Sequence, residues 1–253
     1  ESTQVADNTN RPVIGTDATL FNFNPYVNFT SQTQTLGNES VAPAEGFTSH
    51  IEQFFIHKDN NYTDVAGQWF GLNYDLRGSA GGGFTYDWNS FERNYYRSRL
   101  NVANGATTTT YFVPASSTSV LNMSHIISNV PSTTFGYRGN GSTVTNTSNA
   151  NYNYIGQGGF VYGSDQDGTG LVGDDQGVTG QLAEHLIVGE ALTAVKRRQV
   201  ESYLAVKYGT TISDLTSDAS YRDASGNATF TVDATFRHDI FGIAKEATAG
   251  IDQ

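Results

Sequence analysis

Short segments of alternating polar and apolar residues, separated by turns rich in Gly, Asn and Ser, run through most of this chain, and that rhythm admits few folds. IEQFFIHK (51–58), GQWFGLNY (67–74), SRLNVA (98–103), TTYFVP (109–114), LNMSHIIS (121–128), TTFGYRG (133–139), NYNYIGQGGFVYG (151–163) and QLAEHLIVG (181–189) each read as a strand, with RGSAGGG, NGAT and RGNGST among the turns. LFNFNPYVNF (20–29) sets Phe21, Phe23, Pro25, Val27 and Phe29 on one face against Leu20, Asn22, Asn24 and Tyr26. Its proline demands an edge position or a bulge. Many short strands joined by polar loops predict two antiparallel sheets packed face to face, because each sheet must bury an apolar face. Residues 1–19 read as an irregular polar arm.

With 253 residues the chain is long enough to enclose a full sandwich core. A formal net charge of −11 argues against nucleic acid and anionic membranes as partners, since both require a basic footprint. Cysteine is absent, so a secreted chain of this size relies on its core or on bound metal rather than on disulfides. No apolar run reaches the roughly 20 residues of a membrane helix, which predicts no membrane insertion. The sequence opens at Glu1 and closes on GIDQ without a finishing cap. It is expected to be a segment of a longer secreted or cell-surface polypeptide with neighbouring domains.

One stretch breaks the rhythm. In VKRRQVESYLAVKYGTT (195–211), Val200, Tyr203, Leu204 and Tyr208 recur at helical spacing, with Thr193 placed to cap the start and Gly209 to end the last turn. Lys207 suits the helix dipole, whereas Lys196, Arg197 and Arg198 oppose it at the start, which predicts that they meet partners elsewhere on the domain. The apolar stripe predicts that the helix docks as a lid on an end or edge of the sandwich and blunts an exposed β-edge. The acidic chain around it argues against a DNA-reading or catalytic helix. Beyond it, YRDASGNATFTV (221–232) reads as a hairpin turning at Ser225-Gly226-Asn227, and FRHDIFGIAKE (236–246) as a last strand.

GQLAEHLIVGEALTAVKRRQVESYLAVKYGTTI (180–212) resembles the closing segment of the LamG-like, concanavalin-type domains of large secreted surface proteins of Bacteroidetes-type bacteria. Those domains combine a strand G-x-[IL]-A-E-[IV]-[IV]-[IV], a short L-T or L-S step, and a helix [RK]-x-x-[VI]-E-S-Y-L-A-x-K-Y-G. Gly180, Ala183, Glu184, Ile187, Val188, Leu192, Thr193, Arg198, Val200, Glu201, Tyr203, Leu204, Lys207, Tyr208 and Gly209 match. FNFNPYVNF is similar to the family's N-terminal F-N-P-x-V-x-F strand, and HDIFGIAKE to its N-D-I-x-G-I-x-x-D segment, although Lys245 and Glu246 replace the usual acidic pair. Residues 60–170 carry no family motif. The resemblance implies a concanavalin/LamG-like jelly-roll sandwich over 1–192, a docking helix over 193–209 and a β-hairpin appendage over 210–253.

Two constellations bear on chemistry. In DQDGTGLVGDD (165–175), Asp165, Asp167 and Thr169 put oxygens at positions 1, 3 and 5, Gly170 stands at the sharp turn, and Leu171 offers a carbonyl at position 7. Gln176 replaces the bidentate Glu at position 12 and no helices flank the loop, so this is not an EF-hand. Two readings stand: a calcium loop to which Asp174 and Asp175 add carboxylates, or an Asp/Gly turn of a common kind. The aromatic residues Trp69, Tyr86, Trp88, Tyr95, Tyr96, Tyr152, Tyr154 and Tyr162 supply the rings a sugar-stacking platform needs. Trp69 is expected in the core. Tyr86 and Trp88, in the loop GGGFTYDWNSFE (81–92), are expected to be exposed and with Tyr95 and Tyr96 form the predicted ligand-binding set.

Signatures of catalysis are missing. The five histidines show no H-x-x-x-H or H-E-x-x-H spacing, no strand reads E-x-D-x-x-E, and G-x-S-x-G does not occur. RSRL (97–100) is similar to the arginine strand of alginate-lyase jelly rolls, but the Gln-x-His and Tyr-Lys strands that would complete such a site are absent. The sequence therefore predicts an all-β, two-sheet antiparallel sandwich with one C-terminal helix, acting as a non-catalytic adhesion or carbohydrate-binding module for a glycan or cell-surface ligand. Binding is expected through end loops or a concave sheet face, with calcium as the candidate cofactor. The alternatives are a structural spacer in a long adhesin and a polysaccharide-degrading enzyme.

Overall fold

The computed structural model describes residues 11–17, 19–31, 34, 36–38, 50–60, 68–74, 86–92, 96–102, 106–112, 121–129, 134–141, 144–147, 159–163, 179–212, 218–233, 235, 245–246 and 251–252. Along the chain they form β1 (Val13–Gly15), β2 (Tyr26–Phe29), β3 (Leu36–Asn38), β4 (His50–Asp59), β5 (Gln68–Tyr74), β6 (Tyr86–Glu92), β7 (Tyr96–Val102), β8 (Ala106–Phe112), β9 (Asn122–Asn129) and β10 (Thr134–Gly139). β11 (Val144–Thr147), β12 (Gly159–Tyr162), β13 (Gly180–Val188), helix α1 (Ala194–Tyr208), β14 (Ser220–Arg222), β15 (Ala228–Thr231), β16 (Lys245–Glu246) and β17 (Ile251–Asp252) follow. Antiparallel pairing builds a seven-stranded sheet, β1-β2-β13-β4-β9-β10-β11, and a six-stranded sheet, β3-β12-β5-β6-β7-β8. The protein is a two-sheet β-sandwich with one helix, as the strand rhythm predicts.

The centre of the seven-stranded sheet is covered on both sides. In β4 every residue from Glu52 to His57 is buried, odd and even alike. Successive residues of a strand face opposite ways. Phe54 and Ile56 join Met123 of β9 in an apolar core with Leu204, Ala205 and Tyr208 of α1, Tyr221 of β14 and Phe21. Phe55 instead stacks on His185 of β13 at a ring separation of 4.0 Å, and Tyr162 of β12, in the other sheet, donates its hydroxyl proton to His185 Nδ1 at 2.8 Å. One face of this sheet therefore carries the helix and the β14–β15 hairpin, and the other faces the six-stranded sheet. The helix covers a sheet face, where the sequence pattern alone suggests an end or edge.

Helix α1 has the predicted ends. Thr193 Oγ1 accepts the Lys196 amide at 3.2 Å, and Gly209 adopts the left-handed conformation (φ 70°) that closes the last turn. Its buried face is more polar than the predicted stripe, with Arg198, Glu201 and Ser202 beside Leu204, Ala205 and Tyr208. The β14–β15 hairpin turns at the predicted residues, with Gly226 at φ 86°, and Gln199 ties it to the helix by donating to the carbonyls of Asp223 and Ala224.

Three sequence readings need correction. Residues 20–29 do not form one strand: 19–23 are turns and β2 starts at Tyr26. Asn22 and Phe23 take positive φ (47° and 67°), and the amides of Asn22 and Asn24 turn away to donate to the Lys207 carbonyl at 3.2 and 2.8 Å, capping the helix from outside. Residues 86–92, read as loop, form β6 inside the six-stranded sheet. The pattern also misses β1, β3 and β11, all short strands at sheet edges whose sequences (VIG, LGN, VTNT) show no clear alternation. Of the last strand read over 236–246, Lys245–Glu246 pair with β17 and 236–244 lie outside the described residues.

Candidate ligand-binding face

Residues of the 180–212 segment meet β4, β9 and β10 beneath and beside α1. Arg197 forks onto Glu52 of β4 (Nε to Oε2 2.8 Å, Nη2 to Oε1 2.7 Å), His125 Nε2 of β9 reaches Glu52 Oε2 at 2.7 Å, and the Leu192 amide donates to Glu52 Oε1 at 2.9 Å. Glu201 lies against Arg138 of β10 (2.9 Å) and Arg198 (3.2 Å), with His125 Nδ1 at 3.7 Å. Lys196 pairs with exposed Glu190 at 3.2 Å. Arg197 thus meets its carboxylate elsewhere on the domain, as predicted, whereas Arg198 pairs within the helix and Lys196 with the turn that precedes it. Glu184 of β13 gathers the rest of the motif, accepting from Tyr208 (2.6 Å), Lys207 (2.9 Å) and Tyr203 (3.3 Å).

Electrostatics follow from these contacts. Burial alone would raise the Glu52 carboxyl, but hydrogen bonds from Arg197 and then His125 outweigh it and hold the group well below the usual carboxylate range. Burial likewise opposes a charge on Lys207, yet Tyr203 and Glu184 hold its ammonium above the ordinary lysine value. Between the sheets, burial pushes the rings of His57 and His185 down to about 3, so they are neutral. His57 Nε2 meets Ser124 Oγ at 2.9 Å, and His185 donates from Nε2 to Gln53 Oε1 at 3.1 Å. Glu52, His125 and Glu201 have 0–1% exposure, so these titratable groups brace the helix and do not present themselves to a solute.

The candidate face is on the six-stranded sheet, and Tyr162 tells its two sides apart. Its bond to His185 marks it as an inner position, and the strand registers carry that assignment across all six strands, through Leu36, Tyr162, Phe70, Phe91, Tyr96 and Phe112. The intervening ladders belong to the outer face. One runs through Gly71, Ser90, Arg97 and Tyr111, the next pairs Trp88 with Arg99 and Thr109, and a third pairs Tyr86 with Asn101 and Thr107. This outer face lies on the far side of the molecule from α1 and the β14–β15 hairpin.

Of the predicted ligand set, the registers bring Tyr86 and Trp88 to one face, two residues apart on β6, and place Tyr96 on the opposite, inner face. Tyr95 lies outside the described residues, as do Tyr152, Tyr154 and the whole predicted calcium set, Asp165, Asp167, Thr169, Asp174 and Asp175. Among the described residues no group of three His, Asp or Glu is placed to hold a metal ion. Sequence reasoning weighs Arg97 and Arg99 only as part of a lyase-type strand, RSRL, and sets them aside, and it passes over Asn101 and Tyr111. The R-S-R spacing on a strand was the available signal, since residues two apart share a face.

Comparison with known proteins bears on the architecture. Residues 196–253 match a domain of unknown function, DUF8202, and no curated protein matches the chain. The sandwich is a shared fold. The CBM40 of the Ruminococcus gnavus IT-sialidase resembles it with a TM-score of 0.51 at 11% identity, over 72% of this chain and 96% of that one. The receptor-binding domain of botulinum neurotoxin mosaic serotype C/D gives 0.54 at 11% identity, over 79% of this chain and 48% of its own. The binding domain of Paraclostridial Mosquitocidal Protein 1 gives 0.52 at 10% identity, over 88% and 49%. This chain thus spans about half the length of the two toxin domains. At such identities the likeness is one of fold.

Proposed function

We propose that this chain is a non-catalytic carbohydrate-binding module that takes its glycan on the outer face of the six-stranded sheet. The observation that carries the reading is the register, which sets Tyr86 and Trp88 among Ser90, Asn101, Thr107 and Thr109 on one sheet face. Aromatic rings cover the apolar face of a pyranose while hydroxyl and amide groups bond its hydroxyls. The sandwich's likeness to a carbohydrate-binding module of a sialidase and to a toxin's receptor-binding domain supports the same reading. Binding needs no general acid or base, which agrees with titratable groups committed to holding α1.

The wider setting belongs to this proposal as well: a module of a secreted or surface-anchored bacterial adhesin of the LamG-like type, with Asp165, Asp167, Thr169, Asp174 and Asp175 as a calcium loop. A glycan array followed by calorimetry tests the binding reading. At least one glycan is expected to bind the wild type and to lose at least tenfold in affinity to Trp88→Ala. An array without a ligand overturns it in favour of a spacer. Thermal unfolding in EDTA and then in excess calcium tests the loop: calcium should raise the midpoint of the wild type and not of Asp165→Ala/Asp167→Ala, by mass action on the native state. Equal midpoints for both proteins remove calcium from the account.

A further inference from the structure

We infer that the glycan taken by this face is acidic, and that Arg97 and Arg99 read its charge. This inference rests on the binding reading above and narrows it to a ligand class.

Two arginines two residues apart on β7 share a face and stand about 7 Å apart along the strand. The register places Arg99 directly opposite Trp88 on β6 and Thr109 on β8, and Arg97 opposite Ser90 and Tyr111. Directly opposed residues lie about 5 Å apart. A sugar ring covering the Trp88 position therefore has both arginine positions within the reach of a substituent on that ring.

The placement is unusual for this chain. It carries 14 Lys and Arg against 25 Asp and Glu. Among the described residues, four other arginines meet internal carboxylates: Arg197 meets Glu52, Arg138 and Arg198 meet Glu201, and Arg222 meets Asp218 at 2.8 Å. In the ladders of Arg97 and Arg99 the opposed residues are hydroxyl-bearing or aromatic. Asp87 falls on the inner face; Glu92, the last residue of β6, shares the outer face and stands diagonal to Arg97, so one carboxylate position faces two arginine positions and none is opposite Arg99. Cations beside an aromatic position, with no carboxylate opposite them in register, suit a ligand that brings its own negative group. The guanidinium fork matches planar carboxylates and also binds sulfate-type oxygens, so the shared chemistry is an anionic substituent on a sugar.

Matched glycan pairs test this by calorimetry: an oligouronate against its carboxyl-reduced form, a sialylated oligosaccharide against its asialo form, and a sulfated oligosaccharide against its desulfated form. At least one anionic member is expected to bind tenfold or more tightly than its neutral partner, and the pair that shows the difference names the anion. Arg97→Gln/Arg99→Gln should reduce the anionic member's advantage over its neutral partner at least tenfold. Wild-type titrations at low and high salt give a readout independent of any variant's folding: screening should weaken the anionic ligand and spare the neutral one. Equal affinities within every pair, with binding still lost in Trp88→Ala, overturn the inference and leave the binding reading intact. Absence of binding to every glycan, neutral or anionic, removes both.

Discussion

Glu52 has no exposed surface, and four donors reach its carboxylate: two nitrogens of Arg197, His125 Nε2 and the Leu192 amide. Removing one partner of such a pair leaves the other charge inadequately compensated, so Glu52→Gln is expected to lower stability by about 3 kcal/mol, read from urea unfolding. The two inter-sheet histidines set a second residue-scale expectation. His57 and His185 are neutral in the folded protein down to about pH 3, whereas in the unfolded chain they protonate near their ordinary value of about 6.5. Between those values the unfolded state binds more protons. Their contribution to stability is complete above about pH 6.5 and is lost as the pH falls toward 3, by up to about 1.4 kcal/mol per pH unit for each ring. Glu52 adds loss of the same sign below its unfolded value, about 4.3. Melting temperature followed from pH 8 to pH 3 should fall most steeply in the acid half, and more gently in His57→Phe, which removes one titrating ring.

Helix α1 is held by devices at its two ends that differ in how plainly the sequence announces them. Thr193→Ala removes the side-chain acceptor of the first turn and should cost about 1 kcal/mol. In Gly209→Ala the added Cβ meets only an ordinary van der Waals contact, Asn22 Cβ at 3.8 Å, so the expected loss of about 1 kcal/mol reflects the left-handed backbone alone. Chemical denaturation of both variants checks these values. Thr193, Gly209 and the spacing between them are local signals and were legible in the sequence. The outer cap was not, because Asn24 reaches the Lys207 carbonyl across 183 positions, and FNFNP taken alone imitates a strand. β6 was illegible for a related reason. Asp87, Asn89 and Ser90 favour turns, and only pairing with β5 and β7 makes the segment a strand.

At the scale of the molecule, three layers follow one another: α1 with its hairpin, the seven-stranded sheet, and the six-stranded sheet. The alternation read from the sequence predicted two sheets. The third layer shows in β4, whose residues from Glu52 to His57 mix charge, amide and aromatic groups and are all buried, because each of its faces meets a different layer. Layering also defines the outer side of the six-stranded sheet, the face proposed for the ligand. Tyr86 and Trp88 were recognisable as residue types, but the face they share with Arg97 and Arg99 emerges only from strand register. Backbone NMR of the labelled chain, titrated with a glycan found on the array, tests the central claim most directly. The account predicts that shifts concentrate at 86–90, 97–101 and 107–111 and fade in Trp88→Ala; shifts confined to α1, to the seven-stranded sheet or to loops remote from β6, β7 and β8 would contradict it.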